Sequence, residues 1–195
     1  LKGYPSIIGT IIIERLIDLI LIAPFIIIFY KPIADILSDK GFKVVIFDNK
    51  ESPWIRKDQE MVIGDLLDSD QLLDALFGTK YVYHFAGIAG LAKARKDPIT
   101  TVKNNVLGTT YILEACRRYK TDRIIFTSSI YVYSDLGSFY RCSKQACELL
   151  IENYFKEFGL NYTILRYGSL YGRRANEFNF IRNAITQALL EGKVD

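Results

Sequence analysis

Histidine is almost missing from this sequence: His84 is the only one in 195 residues. A lone histidine without a cysteine cluster cannot assemble a zinc site. The three cysteines, Cys116, Cys142 and Cys147, are odd in number and form no CxxC pair. That excludes a disulfide framework and fits a reducing, cytoplasmic compartment. No block of like charge occurs either. Lys and Arg (25) nearly balance Asp and Glu (22), for a net charge of +3. The two signs are interleaved, which argues against a nucleic-acid partner. An uninterrupted apolar run long enough to cross a membrane, about 20 residues, is also lacking. The nearest approach, IIGTIIIERLIDLILIAPFIIIFY at 7–30, is broken by Glu14, Arg15 and Asp18 and divided by Pro24. A secretory leader would need a basic start and a small-residue cleavage site, and neither stands out. The segment reads as a buried strand preceded by an apolar extension over 1–17, with membrane attachment through 7–30 as the minor alternative.

What is present is the material of one globular unit, with 50% hydrophobic and 24% charged residues. The length suffices for one domain with a sizeable core, here residues 18–195. Short apolar runs alternate with amphipathic stretches, the pattern of repeated βα units on a parallel sheet and hence of an α/β fold. Strands are expected at Leu19–Ala23, Lys43–Asp48, Met61–Ile63, Tyr81–Ala86, Arg123–Ser128 and Tyr162–Tyr167, rich in Val, Ile, Phe and Tyr. Such composition suits strands covered on both faces. Helices are expected at Pro32–Lys40, Asp70–Phe77 (opened by Ser69 or Asp70), Ile99–Tyr119, Phe139–Phe158 and Phe178–Glu191. Gly41, Gly78 and Gly159 stand where helices should stop.

The chemistry concentrates in the second half. In YRCSK, Tyr140 and Lys144 are four apart, so on a helix they share a face. An ammonium beside a phenol favours the phenolate, bringing a general base nearer neutral pH. By itself the pair is as readily a surface contact. The preceding strand, however, ends in three hydroxyls, Thr127, Ser128 and Ser129. Ligands of open parallel sheets bind at the carboxyl ends of strands, where a serine can hold a substrate oxygen while a tyrosine moves its proton. Asp48, followed by Asn49, closes the second strand, where a carboxylate accepts from adenosine ribose hydroxyls and repels a 2′-phosphate. Asp65 follows the third strand and could meet the adenine; turn chemistry would explain either acid as well. After the fourth strand, HFAGIAG offers small residues that let backbone approach a cofactor. His84 there reads as a packed residue rather than a catalyst.

HFAGIAG, KNNVLGTTYILEAC, FTSSIYVY, YRCSK and ILRYGSLYGRR occur in the order seen in extended short-chain dehydrogenases. Over roughly 31–195 the sequence resembles the NAD-dependent epimerase/dehydratase family of nucleotide-sugar enzymes. The resemblance implies a Rossmann-like doubly wound parallel sheet, NAD as cofactor and a nucleotide sugar as substrate, and it is compatible with a homodimer. It assigns catalysis to Ser129, Tyr140 and Lys144. It assigns cofactor binding to Asp48, Asn49, Asp65, Leu66, Phe85, Ala86, Gly87, Asn105, Tyr140, Lys144, Tyr167 and Gly168. Substrate contacts fall on Ser128, Ser129 and Ser169.

Three departures accompany it. The family's opening T-G-x-x-G-x-x-G, counted back from Gly41, places its glycines on Pro24, Ile27 and Tyr30, within APFIIIFY. Bulky residues there would occupy the space a pyrophosphate needs. Only eleven positions separate Ser129 from Tyr140, a short loop for the family, and the chain stops at Asp195 where members run on into a substrate-binding region. A non-catalytic nucleotide-binding or interaction module of the same fold, membrane-associated or not, is therefore the alternative to an enzyme. Dinucleotide affinity is expected to be weak, and the triple substitution Pro24→Gly, Ile27→Gly, Tyr30→Gly should raise it in a binding titration. No change would mean that the count from Gly41 misplaces the loop.

Overall fold

The computed structural model describes residues 18–22, 30–168 and 180–192. Six parallel strands run β1 (Asp18–Ile22), β2 (Lys43–Asp48), β3 (Gln59–Ile63), β4 (Tyr81–His84), β5 (Arg123–Ser129) and β6 (Tyr162–Tyr167). Their order in the sheet is β3-β2-β1-β4-β5-β6. Leu19 of β1 pairs with both Val44 and Tyr81, so the chain enters at the middle and winds outward in two directions. This is the Rossmann-like doubly wound fold, with its crevice where the order reverses between β1 and β4. The helices are α1 (Tyr30–Asp39), α2 (Ser69–Leu76), α3 (Leu91–Lys96), α4 (Pro98–Val102), α5 (Gly108–Tyr119), α6 (Ser138–Phe158) and α7 (Phe180–Glu191).

Burial on both faces explains the apolar strands. In β2, Val45 and Phe47 enter a core with Leu66, Leu72, Leu76, Val82, Ile112, Leu113, Phe126 and Ile151. The alternate residues Val44 and Ile46 pack on the opposite face with Ala34 and Phe85. β3 starts two residues before the expected Met61 because an edge strand tolerates polar residues. Its Gln59 also donates to Asp35 and Ser38, both at 3.2 Å. β4 ends at His84, earlier than expected, because Gly87 (φ +137°) turns the backbone out of the sheet. β5 reaches one residue further, to Ser129.

Local chemistry also moves the helix boundaries. The cap of α2 is Asp68, not Ser69 or Asp70; its carboxylate accepts from the amides of Asp70 (3.2 Å) and Gln71 (3.1 Å). The expected single helix over Ile99–Tyr119 is interrupted. Asp97 accepts from the Thr100 amide at 3.0 Å and Pro98 takes the first helical position. One π-turn, Lys103–Leu107, then separates α4 from α5. α3 and the two 3-10 turns at Ile130–Tyr133 and Asp135–Gly137 were not expected. Pro24 and Ile27 lie outside the described residues, as does the extension over 1–17; Tyr30 is the first residue of α1. Among the described residues no helix is long and apolar enough to cross a membrane.

Polar groups tie the layers together. His84 is fully buried, with Nε2 2.8 Å from Thr109 Oγ1. The Thr109 hydroxyl donates to the Asn105 carbonyl, so its one proton is committed and the imidazole must donate through Nε2–H. Burial first, and the Lys144 charge second, hold the His84 pKa well below its ordinary value.

Two outcomes are expected. Alanine is normally favoured over glycine inside a helix by about 1 kcal/mol. At Gly108, however, an added Cβ would come within 2.5 Å of Leu66 Cδ2 and 2.6 Å of its Cγ. Gly108→Ala should therefore lower stability by roughly 1–3 kcal/mol in denaturant titration, and its loss should be less than additive with that of Leu66→Ala in the double variant. His84, being the only histidine, gives a single imidazole Hε1 resonance. In the native protein it should hold its neutral position as the pH is lowered through 6.5. The unfolded chain takes a proton near pH 6.5 that the native state refuses, so stability falls as the pH drops below that value. A resonance titrating near 6.5 in folded protein would refute this assignment.

Candidate active site

β5 delivers its hydroxyl-bearing end to the crevice, and β4 anchors it there: Thr127 Oγ1 donates to the His84 carbonyl at 3.0 Å. Ser128 and Ser129 are buried at that end. Ser129 is extended (φ −144°) and accepts from the Tyr131 amide at 3.2 Å, so it both ends the strand and caps the turn after it. α6 starts at Ser138 and carries Tyr140 and Lys144 on the face toward β5. Both are buried, at 7% and 4% exposure. Cys142, between them in sequence, is exposed on another side.

The Lys144 ammonium donates to the Thr127 carbonyl at 2.7 Å. It also lies over the Phe126 ring at 4.6 Å and 5.9 Å from the centroid of the Tyr140 ring. Burial pushes its pKa down to about 8. The Tyr140 phenol behaves differently from the expectation drawn from spacing alone. Burial raises its pKa, and it is the Ser129 hydroxyl, within reach of the phenol, that pulls in the opposite direction. The lysine points past the ring to the Thr127 carbonyl, so desolvation wins over its charge. Tyr140 packs with Ile88, Ala94, Leu91 and Tyr131, the last edge-on at 6.3 Å. The unexpected α3 thus walls the phenol. The sequence LAKARK, with only Ala94 buried, gives little periodic signal for it.

Behind this trio stands Asn105, brought inward by the π-turn. Its Oδ1 accepts from the Ile88 amide at 2.6 Å, and its Nδ2 donates to the Ile88 carbonyl (3.1 Å) and the Ser143 hydroxyl (2.8 Å). Both amide hydrogens and the amide oxygen are engaged within the chain. Asn105 thus fixes the loop after β4 and ties it to α6. Gly87 lies against it: a Cβ there would meet Asn105 Oδ1 at 2.7 Å.

The remaining expected contacts divide. Asp48 is buried at the end of β2, where its carboxylate accepts from the Lys50 amide at 3.2 Å, and Asn49 beside it is exposed. Asp65 is exposed and forms a turn, accepting from the Leu67 amide at 2.9 Å. The Leu66 side chain belongs to the core, as do the buried Phe85 and Ala86, leaving their backbone for any contact. Tyr167 is half-buried at the end of β6 and Gly168 is exposed; Ser169 lies outside the described residues. Sequence reasoning missed Glu148 and Arg166, which form an ion pair of 2.6 Å beside Lys144. The one available signal was that the spacing of four from Tyr140 to Lys144 continues to Glu148.

Comparison with known proteins identifies the family and the fold. The NAD dependent epimerase/dehydratase family matches residues 31–194. A putative UDP-glucose 4-epimerase of Methanocaldococcus jannaschii is 33% identical over 162 residues, covering 73% of this chain and 52% of the relative. A dTDP-glucose 4,6-dehydratase of Mycolicibacterium smegmatis is 30% identical over 145 residues, covering 66% and 44%. The solved UDP-glucose 4-epimerase of Thermus thermophilus, in complex with NAD, superposes with a TM-score of 0.77 at 27% identity, covering 90% of this chain and 63% of that one. The chain spans about half the length of the curated relatives it matches. The match runs from α1 through every later element of the sheet, and the chain belongs to the NAD-dependent epimerase/dehydratase family.

Proposed function

We propose that this chain is the dinucleotide-binding and catalytic part of a cytoplasmic nucleotide-sugar epimerase or dehydratase that uses NAD. The observation that carries the reading is the convergence of the Tyr140 phenol, the Ser129 hydroxyl and the buried Lys144 ammonium at the end of β5. Free cysteines throughout the described residues accord with the reducing compartment. What supports NAD as the cofactor is the buried Asp48 carboxylate at the end of β2, where an adenosine ribose would be held, and the small residues Ala86 and Gly87 after β4. Asp48, Gly87 with its neighbours Phe85 and Ala86, Tyr140, Lys144, Tyr167 and Gly168 would hold it. NAD, when bound, supplies the hydride acceptor.

The rest of the chemistry belongs to the chain. Ser129 donates to the reacting sugar oxygen and fixes its distance from the phenol, with Ser128 and Ser169 as further substrate contacts. Tyr140, in its phenolate form, takes the hydroxyl proton as the carbonyl forms and returns it in the reverse step. Lys144 holds positive charge behind the ring, which makes that phenolate less costly. Asn105 keeps the loop that lines the other side of the cleft in register with α6. A second reading rests on the bulky residues Pro24, Ile27 and Tyr30 where glycines are expected: a binding module without turnover.

The decisive test has two arms. Titration with NAD and NADP should show tighter NAD binding, because Asp48 repels a 2′-phosphate; tighter NADP binding would refute its role. With a nucleotide sugar supplied, Tyr140→Phe should lower turnover on the order of 100- to 10,000-fold while leaving the unfolding transition in place. Dinucleotide binding with no turnover in the unchanged protein would select the binding module.

A further inference from the structure

Lys144 is a buried cation, and what faces it can be followed element by element. β5 presents the Phe126 ring and the Thr127 carbonyl. β4 presents His84, neutral because it is buried. From α6 come Tyr140, one turn earlier, then Cys147 and Glu148. Among the described residues, Cys147 and Glu148 are the groups whose negative charge would act on the lysine. Burial pushes the Cys147 thiol up, which keeps it neutral. Glu148 remains, 7% exposed on the stripe of Tyr140 and Lys144.

Glu148 is itself held in place. Arg166 stands on β6 opposite Ser128 of β5. Its guanidinium grips the carboxylate with Nε at 3.0 Å and Nη2 at 2.6 Å from the two oxygens, and it also donates to the Tyr133 hydroxyl in the turn after Ser129. Burial acts to raise the Glu148 pKa, but the bidentate pair, with the Ser128 hydroxyl contributing, holds it below its ordinary value. Such a pair is rigid and directional.

We propose that Glu148 is a positioning residue, a buried counter-charge clamped by Arg166 that keeps Lys144 cationic behind Tyr140. This rests on the proposal that Lys144 serves Tyr140. It adds that the charge of the lysine is set from the far end of the stripe and is balanced against Arg166. The two partners act with opposite sign. Removing the carboxylate takes away the counter-charge of Lys144, so its proton is held less tightly. Removing the guanidinium leaves the carboxylate to the lysine alone, and its proton is held more tightly. A role confined to packing has no such sign reversal.

The test follows the ε-carbon resonance of Lys144 against pH, in isotopically labelled full chain without dinucleotide. The signal is assigned by its absence in Lys144→Met. The unchanged protein should show a midpoint of about 8. Glu148→Gln should lower the midpoint by about one unit or more, a tenfold or greater loss of proton affinity. Arg166→Gln should raise it, and Arg166→Lys, which keeps the charge, should restore it. A midpoint in Glu148→Gln that is unmoved or higher overturns the proposal, as does a shift in the same direction in Glu148→Gln and Arg166→Gln. Midpoints that move as expected while Tyr140→Phe leaves turnover intact would sink the catalytic reading alone.

Discussion

An ammonium group withdrawn from water costs several kcal/mol after relaxation unless other groups replace its hydration. Lys144 is such a group, and the arrangement around it settles much of the rest. The Thr127 carbonyl can accept from its Nζ at 2.7 Å only because β5 ends in the crevice and α6 crosses directly over that end. The same crossing puts the Phe126 face under the ammonium, lending cation–π attraction in a desolvated place. Fixing the lysine fixes the helix, and the helix carries Tyr140 to Ser129 on one side and Ser143 and Cys147 to Asn105 on the other. Core packing and candidate chemistry are therefore one constraint: the apolar residues Cys147 and Ile151 bury the face of α6 that the lysine orients.

How far the sequence discloses this depends on whether the controlling contact is local. β2 and β6 are both read to the residue; in β2 the apolar run answers to burial on the two sides of the sheet, a property of a few consecutive residues. Tyr140 and Lys144 are legible because a spacing of four has only one consequence on a helix. The hydroxyls of Thr127, Ser128 and Ser129 stand out because three polar groups rarely close a buried strand without purpose. Each of these signals survives without knowledge of what lies across the fold.

Beyond the helix caps, the larger misses are tertiary. The π-turn at Lys103–Leu107 inserts one residue into a helix whose sequence looks uninterrupted. What holds it is Asn105 reaching both backbone groups of Ile88, seventeen residues away. The family motif marks Asn105 as important, but its amide is engaged with the loop, so the direction of the side chain was not readable. The turn that Asp65 forms with the Leu67 amide is by contrast local, and it was among the readings open from sequence. Glu148 escaped because a lone acid in an amphipathic helix is ordinarily solvated. It takes Arg166, from a strand eighteen positions later, to hold its buried carboxylate in an ion pair.

The same limit governs the acid–base pair. Spacing puts a cation near a phenol, yet the energetic outcome turns on where the charge points and how much water is lost. The ammonium is directed at a carbonyl and at ring faces, 5.9 Å from the Tyr140 centroid, and both groups are buried. Desolvation penalises the charged form of each, so the phenol moves up while the lysine comes down to about 8. At neutral pH the pair is a neutral phenol in front of a cation, a proton donor by default. Ser129 is the group that favours phenolate, because its hydroxyl reaches the oxygen itself. A ligand oxygen entering between Ser129 and Tyr140 meets both hydroxyls at once. The direction of proton transfer is then set by the charge developing on that oxygen, against a lysine whose cationic state is fixed by groups the ligand does not touch.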